Sequence, residues 1–521
     1  MTTYSTQLLV IGGGATGLGV AWDACLRGLK VVLVEQGDLA QGTSGRYHGL
    51  LHSGGRYVIS DPPSARDCAA ENILLRRLAP HTIEDTGGLF LAAPTDPPDF
   101  PERWYRACFE HGVAAEEIGT SAALEREPVL NPRLARAFLV RDASMDSFDL
   151  LHSLAEGIRH AGGQVWLRHR VERLIQEGGR VAGAEVRSLV TGESSTIGVE
   201  MVVNASGPWS RQVAGMAGVR LPIALGKGTM VAMASRLVHT VLNRLKPPSD
   251  GDIIVPVGTV SVLGTTDIPV NDPTDLSIEP WEIDLLLAEG EVLIPGLSAH
   301  RALRAWAGIR SLYRPPVAEG EATRALPRAH TILDHAERDG LDGLVSVIGG
   351  KLTTFRLMAE QTMEVVCRRL GVTAPCKTAD TPFEKPSPPY YTLSDRWKKM
   401  EHAKRPPMPP EVMCECELVT RSDLEAALQA PDVSELDDVR RDLRLGMGPC
   451  QAAFCAYRAA GIAQSLGRPA KPTSWLLDFL AERWRGTRPL AWGQSLRQAE
   501  LTRRLYLELF AANRLQEEQT R

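Results

Sequence analysis

A continuous apolar run, Gln7-Leu8-Leu9-Val10-Ile11, empties directly into Gly12-Gly13-Gly14-Ala15-Thr16-Gly17. The run reads as a buried strand, and the glycines as the entry to a helix with Leu18, Ala21 and Ala24 or Cys25 on its apolar face. Gly28 ends that helix before a second buried strand, Val31-Val32-Leu33-Val34, which finishes on Glu35. This is a complete βαβ unit, and each glycine has a reason. Gly12 permits the tight turn, Gly14 lets the backbone approach a pyrophosphate, and Gly17 lets the helix lie close on the sheet. The open N–H groups of the helix N-terminus then face phosphate charge. Glu35 lies eighteen residues after Gly17, where an acidic side chain takes ribose hydroxyls. A dinucleotide is the expected ligand.

At 521 residues the chain exceeds what one growing core accommodates, so two or three domains are expected. Its formal charge of −5 gives no overall basic field for nucleic acid or an anionic membrane. No basic segment followed by an apolar stretch opens the chain, and no apolar run reaches membrane-spanning length. The expected location is cytoplasmic, with peripheral attachment to the inner face of the cell membrane left open. Nine cysteines in so long a chain do not suggest a disulfide scaffold.

Residues 36–49 are small and polar, Thr43 and Ser44 among them, as suits a chain passing close to a bulky cofactor. Next come His48, His52, Arg56 and Tyr57, a candidate active-site edge, although either histidine could simply fix its loop through backbone hydrogen bonds. A helical pattern follows at 62–78, with Cys68, Ile73 and Leu74 on the apolar side. Later, a hairpin that includes Val171 returns to the sheet at 199–204 and ends in Ala205-Ser206-Gly207. This second strand-to-glycine turn favours flavin adenine dinucleotide (FAD), a long cofactor approached from several strand ends, over a nicotinamide. Residues 220–320 read as an inserted α+β substrate domain. A third glycine turn, Gly349-Gly350-Lys351, again opens a helix. The fold class is therefore α/β, with a Rossmann-like FAD-binding domain over 1–372.

Prolines crowd residues 373–411, which read as a linker. Beyond it, Cys414 and Cys416 are separated by one residue, and Cys450 and Cys455 by four. Two loop-borne thiolate pairs near helix starts suit a metal centre, because exposed N–H groups stabilise negative sulfur. A [2Fe–2S] cluster is favoured over zinc, whose cysteine pairs usually have a gap of about two to four residues and which offers a flavin no one-electron exit. The expected small helical module spans 412–466. An amphipathic tail follows at 467–521, suited to core packing, a partner subunit or a lipid surface.

Taken in order, GGGATG, HGLLHSGGRY, VVNASGPW, LDHAERDGLDG, GGKLTTFRLMAE, CEC, GMGPCQAAFCAYRAAG and ERWRGTRPLAWG resemble the large catalytic subunits of anaerobic, FAD-dependent glycerol-3-phosphate dehydrogenases over nearly the whole chain. The cysteine module is similar to the [2Fe–2S] domain of bacterioferritin-associated ferredoxins. The resemblance implies FAD, oxidation of sn-glycerol 3-phosphate to dihydroxyacetone phosphate, and electron transfer through companion subunits to membrane quinone. It also implies that Arg56, Tyr57, Arg310, Arg328 and Lys351 surround the phosphate and flavin, with Arg310 and Lys351 at the reacting centre. Arginine suits a phosphate dianion because its planar fork donates in pairs. The resemblance departs at Leu225-Gly226-Lys227-Gly228, where single-subunit respiratory relatives carry a histidine, which leaves His48 and His52 as candidate bases. Two rivals remain at this level: a flavin dehydrogenase of another 2-hydroxy or amino acid, and a non-catalytic electron-transfer subunit.

Overall fold

The computed structural model describes residues 2–315, 323, 326–383, 396–398, 400–401, 411–468 and 472–511. Its N-terminal unit comprises β1 (Thr2–Ile11), α1 (Ala15–Leu26) and β2 (Val31–Val34). β1 extends back beyond its apolar run because the polar residues from Thr2 to Thr6 pair with Ser195 to Val199 of the parallel neighbour β3 (Ser194–Asn204). The completed sheet has eight strands. Leu8, Leu9, Val10 and Leu33 are wholly buried, so the strands lack alternation because both faces are covered. α2 (Pro62–Leu78) and α3 (Phe355–Leu370) contribute to that cover. Gly19 brings α1 against α3: a Cβ there would stand 3.0 Å from the Cβ of Ala359. α2 buries Cys68, Asn72 and Leu75, whereas Ile73, expected on the apolar side, is 56% exposed. The difference has a polar cause, since Asn72 Nδ2 reaches the carbonyl oxygens of His52 and Arg141 and fixes the face.

The second sheet has nine strands, with β4 (Ile223–Met233) antiparallel to β5 (Ala302–Tyr313) along nearly their whole lengths. The substrate domain expected at about 220–320 supplies most of this sheet. Gly88–Ala92, Ala115–Ile118 and Arg136–Val140 complete it from outside that interval, through the parallel pairing of Gly88–Ala92 with Val241–Arg244. Between the two sheets lies the large cavity of the molecule.

The cysteine module is a two-stranded ribbon with helices Arg421–Gln429, Leu436–Leu443 and α4 (Cys455–Ser465). Thr420 caps the first of these, its hydroxyl accepting from Asp423 N. α5 (Pro472–Thr487) belongs to the same body: Leu476, Phe479, Leu480 and Tyr506 pack with Leu424, Leu428 and Val439 in one apolar core. The tail set apart at 467–521 and the module at 412–466 therefore share a core, and the aromatic stripe of the tail is its interior. The terminal helix begins at Gly493 and runs to Arg504 before a wider turn over Leu505–Leu509. Most prolines of the 373–411 segment lie outside the described residues. Among the described residues no helix is long and apolar enough to cross a membrane.

Candidate functional site

One cavity of about 990 Å³ joins the glycine loop to the cationic residues of the second sheet. At its glycine end, the backbone crowds where the sequence demands it. Gly12 has φ +117°, and a Cβ there would meet the Ala205 carbonyl oxygen at 2.6 Å, so two loops are pressed together. Gly17 does not line the cavity; it lies beneath the loop, where a Cβ would stand 2.0 Å from the Gly12 carbonyl oxygen. Gly14 faces open space, with only Ser44 Oγ near its Cβ position, at 3.2 Å. Ser44 Oγ accepts from Ala15 N at 3.0 Å, occupying one N–H of the helix start. Thr43 Oγ1 donates to the Ile309 carbonyl oxygen at 2.6 Å and ties this loop to β5. Glu35 accepts from Gly13 N at 2.6 Å and Gly37 N at 2.8 Å, and burial pushes its carboxyl upward. Val171, Ala205 and Gly207 continue the lining. A bare loop, a helix start and a buried carboxylate on one wall fit a dinucleotide.

Gly349 and Gly350 line the opposite wall, both with φ +79°, where a Cβ on Gly350 would lie 2.3 Å from Met358 Sδ. Lys351 Nζ donates to the Arg328 carbonyl oxygen at 3.0 Å and stands 4.4 Å above the centre of the Tyr57 ring. Burial lowers its ammonium pKa and raises that of the Tyr57 phenol to about 12.

Arg56, Arg310 and Arg328 face the same space. The sequence reading missed the carboxylates that aim them. Asp267 accepts from Arg310 Nη1 at 3.0 Å and, through its other oxygen, from Arg328 Nη2 at 3.5 Å. Asp252 pairs with Arg56 at 2.9 Å, and Asp61 accepts from Arg328 N at 3.2 Å. Nη1 of Arg328 is buried without a hydrogen-bond partner among the described residues. The one local signal was the alternation in Gly226-Lys227-Gly228. Gly226 lies opposite Arg310 in the β4–β5 pairing; a Cβ on Gly228 would stand 2.5 Å from Arg310 Nη2 and one on Gly226 2.7 Å from Asp267 Oδ1, so the two glycines vacate space for the guanidinium and for the carboxylate that aims it. Lys227, with the opposite parity, leaves the cavity and pairs with buried Glu282 at 3.0 Å.

His48 and His52 stand edge to face, 5.9 Å between ring centres, and His52 stands 5.2 Å from Tyr57. Their chemistry differs. His48 Nδ1 accepts from Leu50 N at 3.2 Å, which assigns the proton of the neutral ring to Nε2 and makes that atom a donor. Among the described residues no protein hydrogen bond occupies the ring nitrogens of His52; its backbone is held by Thr353 Oγ1, which accepts from His52 N at 3.1 Å. Burial, then Arg56 and Arg310, hold His48 down at about 3; burial, His48, Arg56 and Lys351 push His52 well below its usual range.

Histidines kept neutral in the folded chain bind fewer protons than their unfolded counterparts below the ordinary histidine pKa. Stability of the FAD-free protein should therefore fall as pH drops from about 6.5 toward 3, the window between the unfolded and folded values for His48. His48→Asn should flatten that acid limb, as read from urea midpoints taken between neutral pH and the acid transition. An unchanged slope would remove His48 from the balance.

The four cysteines lie outside the cavity. They are arranged as two pairs across the module: Cys416 Sγ is 3.9 Å from Cys450 Sγ, and Cys414 hydrogen-bonds Cys455. Cys416, followed by the N–H groups of Ala453, Ala452 and Phe454 at the approach to α4, lowers the Cys450 thiol to about 6. Cys455, helped by the Gly446 and Glu417 N–H groups, lowers that of Cys414, while each partner is raised. A Cβ on Gly448 would stand 2.1 Å from Cys416 Cβ, so the loop closes over this pair only as glycine. Among the described residues no group of three or more His, Cys, Asp or Glu side chains converges as ligands of a single metal ion.

The FAD dependent oxidoreductase family model matches residues 7–356. The chain is 41% identical over 525 residues to the A-type subunit of the anaerobic glycerol-3-phosphate dehydrogenase of Escherichia coli (strain K12), covering 97% of this chain and 96% of that protein. It is 41% identical to the A1-type subunit of the anaerobic glycerol-3-phosphate dehydrogenase of Haloferax volcanii, covering 96% of this chain and 90% of that one. Among solved structures, the glycerol-3-phosphate dehydrogenase from Bacillus halodurans complexed with FAD superposes with a TM-score of 0.60 at 24% identity, covering 99% of this chain and 94% of that one. Glycine oxidase from Geobacillus kaustophilus gives 0.58 at 21% identity, covering 73% and 99%. At those identities the two structures speak for the fold.

Proposed function

The chain belongs to the FAD dependent oxidoreductase family and, within it, to the A-type subunits of anaerobic glycerol-3-phosphate dehydrogenases, and from that premise we propose that it oxidises sn-glycerol 3-phosphate to dihydroxyacetone phosphate. The observation that carries this reading is the joining, in one cavity, of a dinucleotide cradle to Arg56, Arg310, Arg328 and Lys351. Bound FAD supplies the two-electron acceptor that oxidation of an alcohol carbon requires. Gly12, Gly14, Glu35, Ser44, Val171, Ala205, Gly207, Gly349 and Gly350 would hold it.

The protein's own part is positioning and proton transfer. Arg310 and Arg328, aimed by Asp267, take the phosphate oxygens and fix the reacting carbon. One ring nitrogen of His52 takes the proton of the 2-hydroxyl, and Nε2–H of His48 donates to an oxygen in the site. Burial is the first cause of the low basicity of His52, and a phosphate dianion in the same cavity offsets the smaller part that Arg56 and Lys351 add.

For the cysteine module we propose a [2Fe–2S] cluster held by Cys414, Cys416, Cys450 and Cys455. Cys416 pairs with Cys450 and Cys414 with Cys455, and N–H groups directed at Cys450 and Cys414 favour the thiolate that metal ligation needs. Such a centre would supply a one-electron exit for the flavin's electrons toward companion subunits and quinone.

The test is an anaerobic absorbance spectrum of the purified protein before and after glycerol 3-phosphate, with iron and acid-labile sulfide analysis. Bleached flavin bands and about two each of iron and sulfide per chain are expected. Persistence of the flavin bands would overturn the substrate assignment; zinc in place of iron would overturn the cluster.

A further inference from the structure

A second cavity, of about 130 Å³, lies where the FAD-binding body meets the cysteine module. One wall is apolar, made by Val260, Val262, Leu303 and Trp306. The other carries the guanidiniums of Arg46, Arg304, Arg440, Arg441, Arg444 and Arg483. Most are matched by carboxylates. Arg441 pairs with Asp38 and Asp438, Arg440 with Asp437, Arg444 with Asp146 and Glu417, and Arg304 with Glu482.

Arg46 and Arg483 have no carboxylate partner among the described residues. Arg46 Nε donates to the Gln41 carbonyl oxygen at 3.1 Å. Arg483, only 2% exposed, donates through Nη2 to Gln451 Oε1 at 2.6 Å, and its Nε is buried with no hydrogen-bond partner among the described residues. Asp437 and Glu482 act on it without forming an ion pair, so burial removes its hydration with only partial compensation. Burial, then Arg304 and Arg440, press the Arg483 guanidinium well below its usual range; burial lowers Arg304 to about 10. The space beside them holds several water-sized groups at about 30 Å³ each, room for a tetrahedral oxyanion.

We propose that this arginine cage is a binding site for a small oxyanion of the phosphate class, distinct from the phosphate clamp of Arg310 and Arg328, although Gln41, Arg46, Tyr47 and His48 line both cavities. Arg46 and Arg304 come from the FAD-binding body, and Arg440 and Arg483 from the module. The anion supplies the charge that Arg483 lacks and fastens the module onto the body that feeds it electrons.

The test uses the full-length holoprotein in phosphate-free chloride buffer at constant ionic strength, with inorganic phosphate as probe. Calorimetric titration of the unaltered protein should show two classes of site, one displaced by glycerol 3-phosphate and one not. Arg483→Gln should weaken the non-displaceable class about tenfold or more and spare the other; Arg310→Ala should do the reverse. Thermal midpoints give a second reading. In chloride, Arg483→Gln should melt at or above the unaltered protein because a partly compensated buried charge is gone, and phosphate should raise the midpoint of the unaltered protein more. Arg440→Gln, which lines this cavity and not the larger one, gives the same binding loss should the Arg483 variant not fold. A single displaceable class, or equal phosphate effects with and without Arg483, overturns the site. Loss of only the displaceable class from the unaltered protein would instead overturn the substrate reading of Arg310.

Discussion

His52→Asn is expected to lower kcat for glycerol 3-phosphate by about 10²–10⁴-fold with little change in KM, the range for loss of a positioned general base. The ring faces the cavity with no hydrogen bond to its nitrogens from the described residues, whereas the lone pair of His48 is already engaged by Leu50 N. A neutral His48 in that tautomer donates through Nε2 and cannot also accept there. His48→Asn should therefore cost less, about tenfold, the scale of one hydrogen bond to a charged group. The two roles separate further with pH and added base. The residual activity of the His52 variant should climb with pH, as hydroxide replaces the missing group, and imidazole should rescue His52→Ala but not His48→Ala. Equal losses in both variants without imidazole rescue would remove His52 as the base.

Local strings carried most of the dinucleotide end, because its constraints are local. Gly12, Gly14, Gly17 and Glu35 sit on one strand–turn–helix–strand unit whose geometry follows from short-range sterics and burial. The phosphate end was only partly legible. Arg310 could be named, but Asp267, which aims it, reaches it through strand pairing and a neighbouring loop, and nothing in the residues around position 267 announces that contact. The same holds for Asp252 beside Arg56. Long-range pairing also explains why the second sheet extended beyond 220–320: Gly88–Ala92 carries the apolar content of a strand but no mark of its partner. The α2 surface differed for another reason, since Asn72 faces inward to satisfy backbone carbonyls, and a polar residue used that way is invisible to a hydrophobic pattern. At the module, cysteine spacing predicts a centre but not which thiols meet: the pairing of Cys416 with Cys450 joins residues far apart in the chain.

Arg310→Ala should reduce kcat/KM for glycerol 3-phosphate by about 2–5 kcal/mol of transition-state stabilisation, roughly 30- to 5,000-fold, the range for truncating one partner of a desolvated charge pair. Two losses add. The phosphate forfeits a paired donor, and Asp267 keeps Arg328, at 3.5 Å, and the Thr323 hydroxyl against its buried carboxylate, so part of the cost is a less compensated charge left inside the site. If the guanidinium serves binding alone, KM rises while kcat holds; if it also fixes the reacting carbon, both change. An unphosphorylated polyol offers nothing for the clamp to hold, so its already poor kcat/KM should move by less than about tenfold, and added inorganic phosphite should stimulate the unaltered enzyme more than the variant by filling the vacant clamp. Asp267→Asn makes the complementary change: both guanidiniums remain but lose the oxygens that aim them, so KM should rise less than in Arg310→Ala. Equal losses with phosphorylated and unphosphorylated substrates would move Arg310 from phosphate recognition to support of the fold, because only a group that touches the phosphate can tell the two substrates apart.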